Sequence, residues 1–341
     1  MEIARQVQRL GLRLWAGLHY GPLRASTPQE EALIRALRAE FARMPHASPV
    51  FCAASERLWT QFQDNLREDV FSADPRGFLS WNVVTRTMFL AFSKYAAKEL
   101  AFLRRQPDWH SRWEQAIRES PVGRPAPFPF YPKTSANLIQ CAYSLCQFEE
   151  HTGIAVAEFD EALEFGGGYG SMCRLFFNLG FGGIYAIYDL LPFSSLQSYY
   201  LKSVGIPVLR GGQQAEHWKG AVLVSETENL RPLSQPRARR KSLFIATWSM
   251  SETPLSIRQQ FLPYTENYDA YLIAYQSRFG EVDNCQFFRD WQEKTASTIR
   301  WTEVPISQIP GKHTYLFGTR RRTAAPDKDP GAYEMAGRQA T

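Results

Sequence analysis

Long apolar runs, paired cysteines and concentrated charge are all missing from this chain of 341 residues, and each absence removes a class of protein. No apolar stretch is long enough to span a bilayer as a helix. The first residues carry Glu2, Arg5, Arg9 and Arg13, too much charge for the apolar centre of a secretion signal. The five cysteines (Cys52, Cys141, Cys146, Cys173 and Cys285) are odd in number and show no Cys-x-x-Cys or Cys/His ligand spacing. Neither a disulfide framework nor a zinc site is expected, and reduced thiols fit a cytoplasmic protein. The net charge is only +5, and the one dense basic run is Arg237, Arg239, Arg240 and Lys241. A nucleic-acid binder concentrates far more, so this run reads as a solvated loop and no nucleic-acid partner is expected. No pair of aspartates follows the strands where a divalent metal would be held.

What is present is apolar and aromatic material, 44% and 14% of residues, ample for one large or two ordinary domains. Up to about Ser120 the periodicity is helical. Leu10, Leu14 and Leu18 fall on one side of an N-terminal amphipathic helix, docked on the body or lying on a membrane surface. Thr27-Pro28-Gln29-Glu30 has the pattern of a capping box with proline where its missing N–H costs nothing, and Ala32, Leu33, Leu37 and Phe41 follow at helical spacing. Further helices are expected over 50–65, 77–92, 93–104 and 109–119. The Pro-rich, aromatic stretch 121–132 cannot continue a helix and reads as a boundary or lid. Another helix is expected over 134–152. These boundaries give a helical region over 1–133 that could supply a dimer contact, a second domain over 134–322, and a polar, disordered tail over 323–341.

From Glu158 the pattern changes. Strands are expected over 161–165, 183–188, 207–210, 242–247, 270–275, 300–305 and 314–318, with helices over 171–179, 193–204, 256–264 and 285–295. Alternation of this kind implies right-handed βαβ units and a mainly parallel sheet. Only a short turn with Pro310-Gly311 separates the last two strands, which therefore pair as an antiparallel hairpin. The fold class is α/β, a Rossmann-like sheet behind an all-helical N-terminal region.

The most informative segment is Glu164-Phe165-Gly166-Gly167-Gly168-Tyr169-Gly170-Ser171, between an apolar strand and a helix. Glycines there allow a sharp turn and a close ligand approach, and the helix start behind them offers free N–H groups. The next strand ends at Tyr188-Asp189, about 20 residues on, the spacing at which a carboxylate accepts from ribose hydroxyls. Ser171 stands where a dinucleotide fingerprint needs its last glycine, and no Tyr-x-x-x-Lys pair supports dehydrogenase or epimerase chemistry. Glu164, a strand-end carboxylate two residues before the first glycine, suits the α-amino group of S-adenosylmethionine. A nicotinamide oxidoreductase or sugar-nucleotide-modifying enzyme, or a non-catalytic binding module on the same fold, are the alternatives.

Asn137-Leu138-Ile139-Gln140, Tyr143-Ser144-Leu145, Phe148-Glu149-Glu150-His151-Thr152-Gly153, the glycine loop, Tyr188-Asp189-Leu190-Leu191-Pro192 and Ser249-Met250-Ser251-Glu252-Thr253-Pro254 resemble a family of sugar O-methyltransferases found in bacterial polysaccharide and secondary-metabolite clusters. The resemblance covers the C-terminal two-thirds of the chain. It implies a class I methyltransferase fold, S-adenosylmethionine as donor and a sugar hydroxyl as acceptor.

Cofactor contacts are accordingly expected from Glu164, Gly166, Gly167, Gly168, Tyr169, Gly170, Asp189, Leu190, Trp248 and Ser249, with Tyr169 stacking near the methionine portion. Ligands of an open α/β sheet sit at the carboxyl ends of the strands. Gln276 and Arg278 follow one such end as acceptor-binding groups, with Tyr275, Trp248 and Phe279 as an aromatic wall. A sugar hydroxyl is a poor nucleophile and calls for a general base. Glu252 is the first candidate, against the reading that this segment caps the following helix. His217 and His313 are the other candidates. Asn137, Gln140 and Tyr143 share one helical face, either packed on the sheet or walling the cofactor under a lid of Tyr131 and Lys133.

Overall fold

The computed structural model describes residues 2–45, 54–88, 94–211, 218–231 and 240–321. His217, Arg237, Arg239, Cys52 and the tail lie outside them.

The N-terminal region is helical as its periodicity requires: α1 (Glu2–Tyr20), α2 (Pro28–Arg43), α3 (Ala54–Ser72), α4 (Asn82–Thr87) and α5 (Lys94–Leu103). The capping box forms as read, Thr27 Oγ1 accepting from Glu30 N–H at 3.2 Å and Glu30 Oε2 from Thr27 N–H at 2.8 Å. The helix expected over 77–92 is broken instead. A 3₁₀ turn, Pro75–Ser80, hands over to α4 at Trp81, whose extended backbone (φ −63°, ψ 146°) lets its ring bury. A π turn, Trp109–Trp113, runs into the short α6 (Glu114–Ala116).

As expected, the Pro-rich stretch does not continue a helix. It makes a two-stranded ribbon, β1 (Pro127–Phe128) with β2 (Tyr131–Ser135). Tyr131 donates to Glu114 Oε1 at 2.7 Å, and the Arg104 guanidinium lies 4.8 Å from its ring centre. α7 (Ala136–Thr152) follows, started by Ser135 accepting from Leu138 N–H and stopped by Gly153 at φ 70°, where a side chain would be strained.

The sheet contains β3 (Glu161–Phe165), β4 (Ile184–Tyr188), β5 (Val208–Arg210), β6 (Gly220–Val224), β7 (Ser242–Thr247), β8 (Ala270–Gln276), β11 (Ile299–Pro305) and β12 (His313–Arg320). α8 (Ser171–Asn178) and α9 (Leu191–Ser203) connect the first strands. A small ribbon, β9 (Arg278–Phe279) with β10 (Val282–Asp283), projects beyond β8. The order is β11-β12-β8-β7-β3-β4-β6-β5. β3 to β8 run parallel, and β12 inserts antiparallel between β8 and β11. The sheet is therefore mainly parallel with the antiparallel C-terminal hairpin its sequence implies. β6 has no counterpart among the expected strands.

β3 and β6 bury every residue, because helices cover both faces of a parallel sheet. On one face, Ile187, Leu223, Ile245 and Leu272 share a continuous core with Leu37, Phe41, Phe78 and Leu100 of the N-terminal helices. On the other, Phe244, Tyr271 and Tyr275 pack with Phe261, Phe288 and Trp291. After β3 the chain builds β4, β5 and β6 on one side, then crosses back to place β7 on the other. That reversal, between the carboxyl ends of β3 and β7, is the place at which open α/β sheets offer a ligand crevice. At the opposite end of the sheet, Arg240 and Lys241 pair with Glu161 and Glu158 at 2.6 and 2.8 Å, a structural use of the basic run.

Candidate functional site

The glycine loop leaves β3 at this crevice. Gly166, Gly168 and Gly170 have φ of 73°, 57° and 97°, values that L side chains rarely adopt. At Gly166 a Cβ would also stand 2.5 Å from Ser249 Cβ, and at Gly167 it would stand 2.6 Å from Ile187 and 2.9 Å from Glu164 Oε2. The loop is fixed by Gly166 N–H donating to Tyr188 O at 2.8 Å and Gly170 N–H to Gly167 O at 2.9 Å. The Ser249 hydroxyl donates to Phe165 O, which ties the exit of β7 to the loop across the crevice.

Glu164 lies buried beneath the loop, 3% exposed, its Oε2 accepting from the Tyr185 hydroxyl at 2.9 Å. Burial pushes its carboxyl up to about 8, the tyrosine acts in the opposite sense, and no cation is among the groups acting on it. An ammonium group placed beside it would favour the ionised form, displacing the proton and forming an ion pair that offsets the burial.

Asp189 stands at the end of β4, its own N–H held by Val224 O of β6 at 3.0 Å. The unexpected strand β6 is thus what positions it. Leu190 N–H donates to Asp189 Oδ1 at 2.8 Å and Gln197 Nε2 donates to Oδ2 at 2.7 Å. Burial lifts the carboxyl to about 7, while the Leu190 N–H, Gln197 and Gly167 N–H donors oppose that rise. Leu190 is 41% exposed beside it, open to a flat ligand surface.

Past β7 the chain turns sharply. Trp248 has φ 63°, an uncommon left-handed conformation for a bulky residue that points to a constrained site. Its backbone N–H donates to Ala274 O at 2.7 Å and its indole N–H to His313 Nδ1 at 3.0 Å. His313 is no surface histidine. It opens β12 in register with Gln276, and its pKa is lowered by burial. With one ring nitrogen already accepting from Trp248, it is a support for the tryptophan rather than a free base.

Ser251, Glu252 and Gln276 meet here. The Ser251 hydroxyl lies 2.8 Å from Gln276 Oε1, and the Gln276 side chain hydrogen-bonds Glu252, whose carboxyl burial lifts to about 7. Neither Ser251, Glu252 nor Thr253 caps the next helix, Leu255–Phe261, whose N-cap is Pro254 with no side-chain cap. Arg258 instead fixes the turn from within. Fully buried, it donates to Thr253 O at 2.9 Å, Ser251 O at 2.8 Å and Asn284 Oδ1 at 2.7 Å.

Two expected contacts are corrected. Tyr169 is 2% exposed, edge-on to Phe78 and Tyr200, with its hydroxyl accepting from Asn137 Nδ2 at 2.9 Å. Its ring is core, and only the backbone of residue 169 belongs to the loop. Asn137 also donates to Ser171 Oγ at 2.8 Å, so it braces the start of α8. Tyr275 is 3% exposed and stacks on Phe288 at 4.3 Å on the far face of the sheet. Strand alternation turns it away from the neighbouring Gln276. Arg278 is carried out on the β9–β10 ribbon, largely exposed and 3.8 Å from Asp283. Gln197, Arg258 and Asn284 are site-supporting residues that the pattern did not single out; for Arg258 the three-residue spacing to buried Phe261 was a readable signal.

No family model matches the chain, and no curated protein does. Among solved structures it is similar to the magnesium protoporphyrin IX methyltransferase ChlM of Synechocystis PCC 6803 (8% identity, 53% of this chain and 78% of that one, TM-score 0.37). It is also similar to an rRNA methylase of Streptococcus thermophilus (13%, 52% and 95%, TM-score 0.36) and to the methyltransferase domain of bacterial CtHen1 (13%, 51% and 99%, TM-score 0.34). At such identities likeness bears on fold alone, and at these scores it decides nothing about the chemistry.

Proposed function

We propose that this chain is an S-adenosylmethionine-dependent O-methyltransferase acting on a hydroxyl of a sugar or glycosylated small molecule. The observation that carries the reading is the Glu164 carboxyl, buried with no cation acting on it among the described residues, beneath a loop in which a Cβ at Gly166 or Gly167 would clash. Glu164 is suited to hold the donor's ammonium group, the Gly166–Gly168 backbone to lie against it, and Asp189 to accept from the ribose hydroxyls. When bound, the donor supplies an electrophilic methyl group on its sulfonium.

The chain's remaining work is on the acceptor side. Trp248, held by His313, offers an aromatic wall, and Gln276 offers its amide to a polyhydroxylated ligand, with the fully buried Ser251 hydroxyl fixing that amide from behind. Glu252 is the proposed base. A carboxyl raised to about 7 is partly ionised at neutral pH and still basic enough to take a hydroxyl proton on one oxygen as nucleophilicity develops. Gln276 orients it.

Calorimetric titration of the purified protein with S-adenosylhomocysteine and with NAD tests the donor: saturable binding of the first and none of the second is expected, and the converse would sink the proposal. Glu252→Gln should leave S-adenosylhomocysteine affinity unchanged and lower methylation across a panel of glycosides by roughly 10²–10⁴-fold. Undiminished turnover would remove Glu252 as the base.

A further inference from the structure

Gln197 is fully buried on α9, eight residues after Asp189. Its amide nitrogen donates both to Gly168 O at 2.9 Å and to Asp189 Oδ2 at 2.7 Å. Both neighbours are acceptors, so the orientation of the amide is fixed: flipped, its oxygen would face a carbonyl and a carboxylate. That orientation has a cost, because Gln197 Oε1 is left buried without a partner, a loss of about 1–3 kcal/mol in a typical interior. A residue used only for packing would be apolar here and avoid it. The amide thus joins the two halves of the proposed donor site, the third glycine of the loop and the strand-end carboxylate.

We propose that Gln197 is a positioning residue that fixes the Asp189 carboxylate against the glycine loop for ribose recognition. This rests on the methyltransferase reading for the identity of the ligand, though not for the effect on Asp189. Asp189 is buried enough for its proton affinity to rise toward neutrality, and the ionisable groups that sense it are Glu164, across the loop, and Tyr188, on its own strand. Without the Gln197 donor the burial effect is less opposed, so Asp189 should hold its proton to higher pH. A protonated carboxyl offers fewer acceptor sites to a diol.

The test uses Gln197→Met, which keeps the length of the side chain and removes the donor. The Asp189 carboxyl is titrated by ¹³C NMR, and S-adenosylhomocysteine affinity is measured from about pH 6 to about pH 9 in both proteins. The variant's Asp189 midpoint should move up, and its affinity should fall by roughly tenfold to a hundredfold, most strongly toward the acidic end. An unmoved midpoint, or an affinity loss equal at every pH, would overturn the proposal. If the wild type fails to bind S-adenosylhomocysteine, the donor assignment falls, while the Asp189 midpoint still decides whether Gln197 controls that carboxylate. Gln197→Glu is the second variant should the methionine protein misfold. Its carboxyl beside Asp189 must raise the midpoint further, and an unshifted midpoint there is equally fatal.

Discussion

Glu164 places an acid where water cannot reach it, and this has a measurable consequence for stability. Its ordinary pKa is 4.5 and burial raises it to about 8 in the folded chain. Between those values the native state binds the proton and the unfolded state has released it, so stability falls as pH rises through that window. Asp189, Glu252 and Glu99, each raised to about 7 by burial, add to the same trend. Glu164→Gln should therefore make the urea midpoint fall less steeply between about pH 5.5 and about pH 8.5. A variant as pH-sensitive as the wild type would show that Glu164 is solvated. Glu164 and Asp189 are legible in the sequence because strand ends and glycine turns fix them locally. The fate of Tyr169 and Tyr275 is not, because a ring's direction depends on which face of the sheet or loop a neighbouring helix covers.

At the scale of elements, the turn after β7 combines local bonds, the Ser251 and Thr253 hydroxyls donating to Trp248 O at 2.6 Å and Met250 O at 2.8 Å, with an anchor from the helix that follows. Met250–Glu252 is one 3₁₀ turn, and the helix after it has no side-chain cap. Arg258 supplies the missing restraint, reaching two carbonyls of the turn and Asn284 at the start of the helix Asn284–Thr295. With no carboxylate among those partners, burial lowers its pKa to about 10. Arg258→Met removes three donated bonds from buried acceptors and should cost about 2–4 kcal/mol of unfolding free energy in urea. A loss below about 0.5 kcal/mol, the range of an ordinary surface change, would contradict this role. The elements themselves are largely readable: four helices of the sheet region and seven of its eight strands fall within a few residues of their expected places. β6 escaped because its five residues, Gly-Ala-Val-Leu-Val, begin at Gly220, close behind the end of β5 at Arg210, with less sequence between than a parallel crossover usually takes. Pairing across the sheet, not local pattern, makes it a strand.

For the whole molecule, the N-terminal helices are not an appendage to the sheet. α2 and α3 pack on α9, and α5 packs on α7, so one core joins both regions. Helical periodicity announces such helices but not their docking partners, which is why the sheet region is legible from its motifs and the arrangement of the first 133 residues is not. Among the described residues no helix is long and apolar enough to cross a membrane. The central claim is that the crevice between β3 and β7 holds an adenosyl donor. A crystal structure of the protein soaked with S-adenosylhomocysteine tests it most directly. The account predicts ligand density against Gly166–Gly168, its amino group beside Glu164 and its ribose hydroxyls on Asp189; density elsewhere, or a saturated crystal with this loop bare, would contradict it.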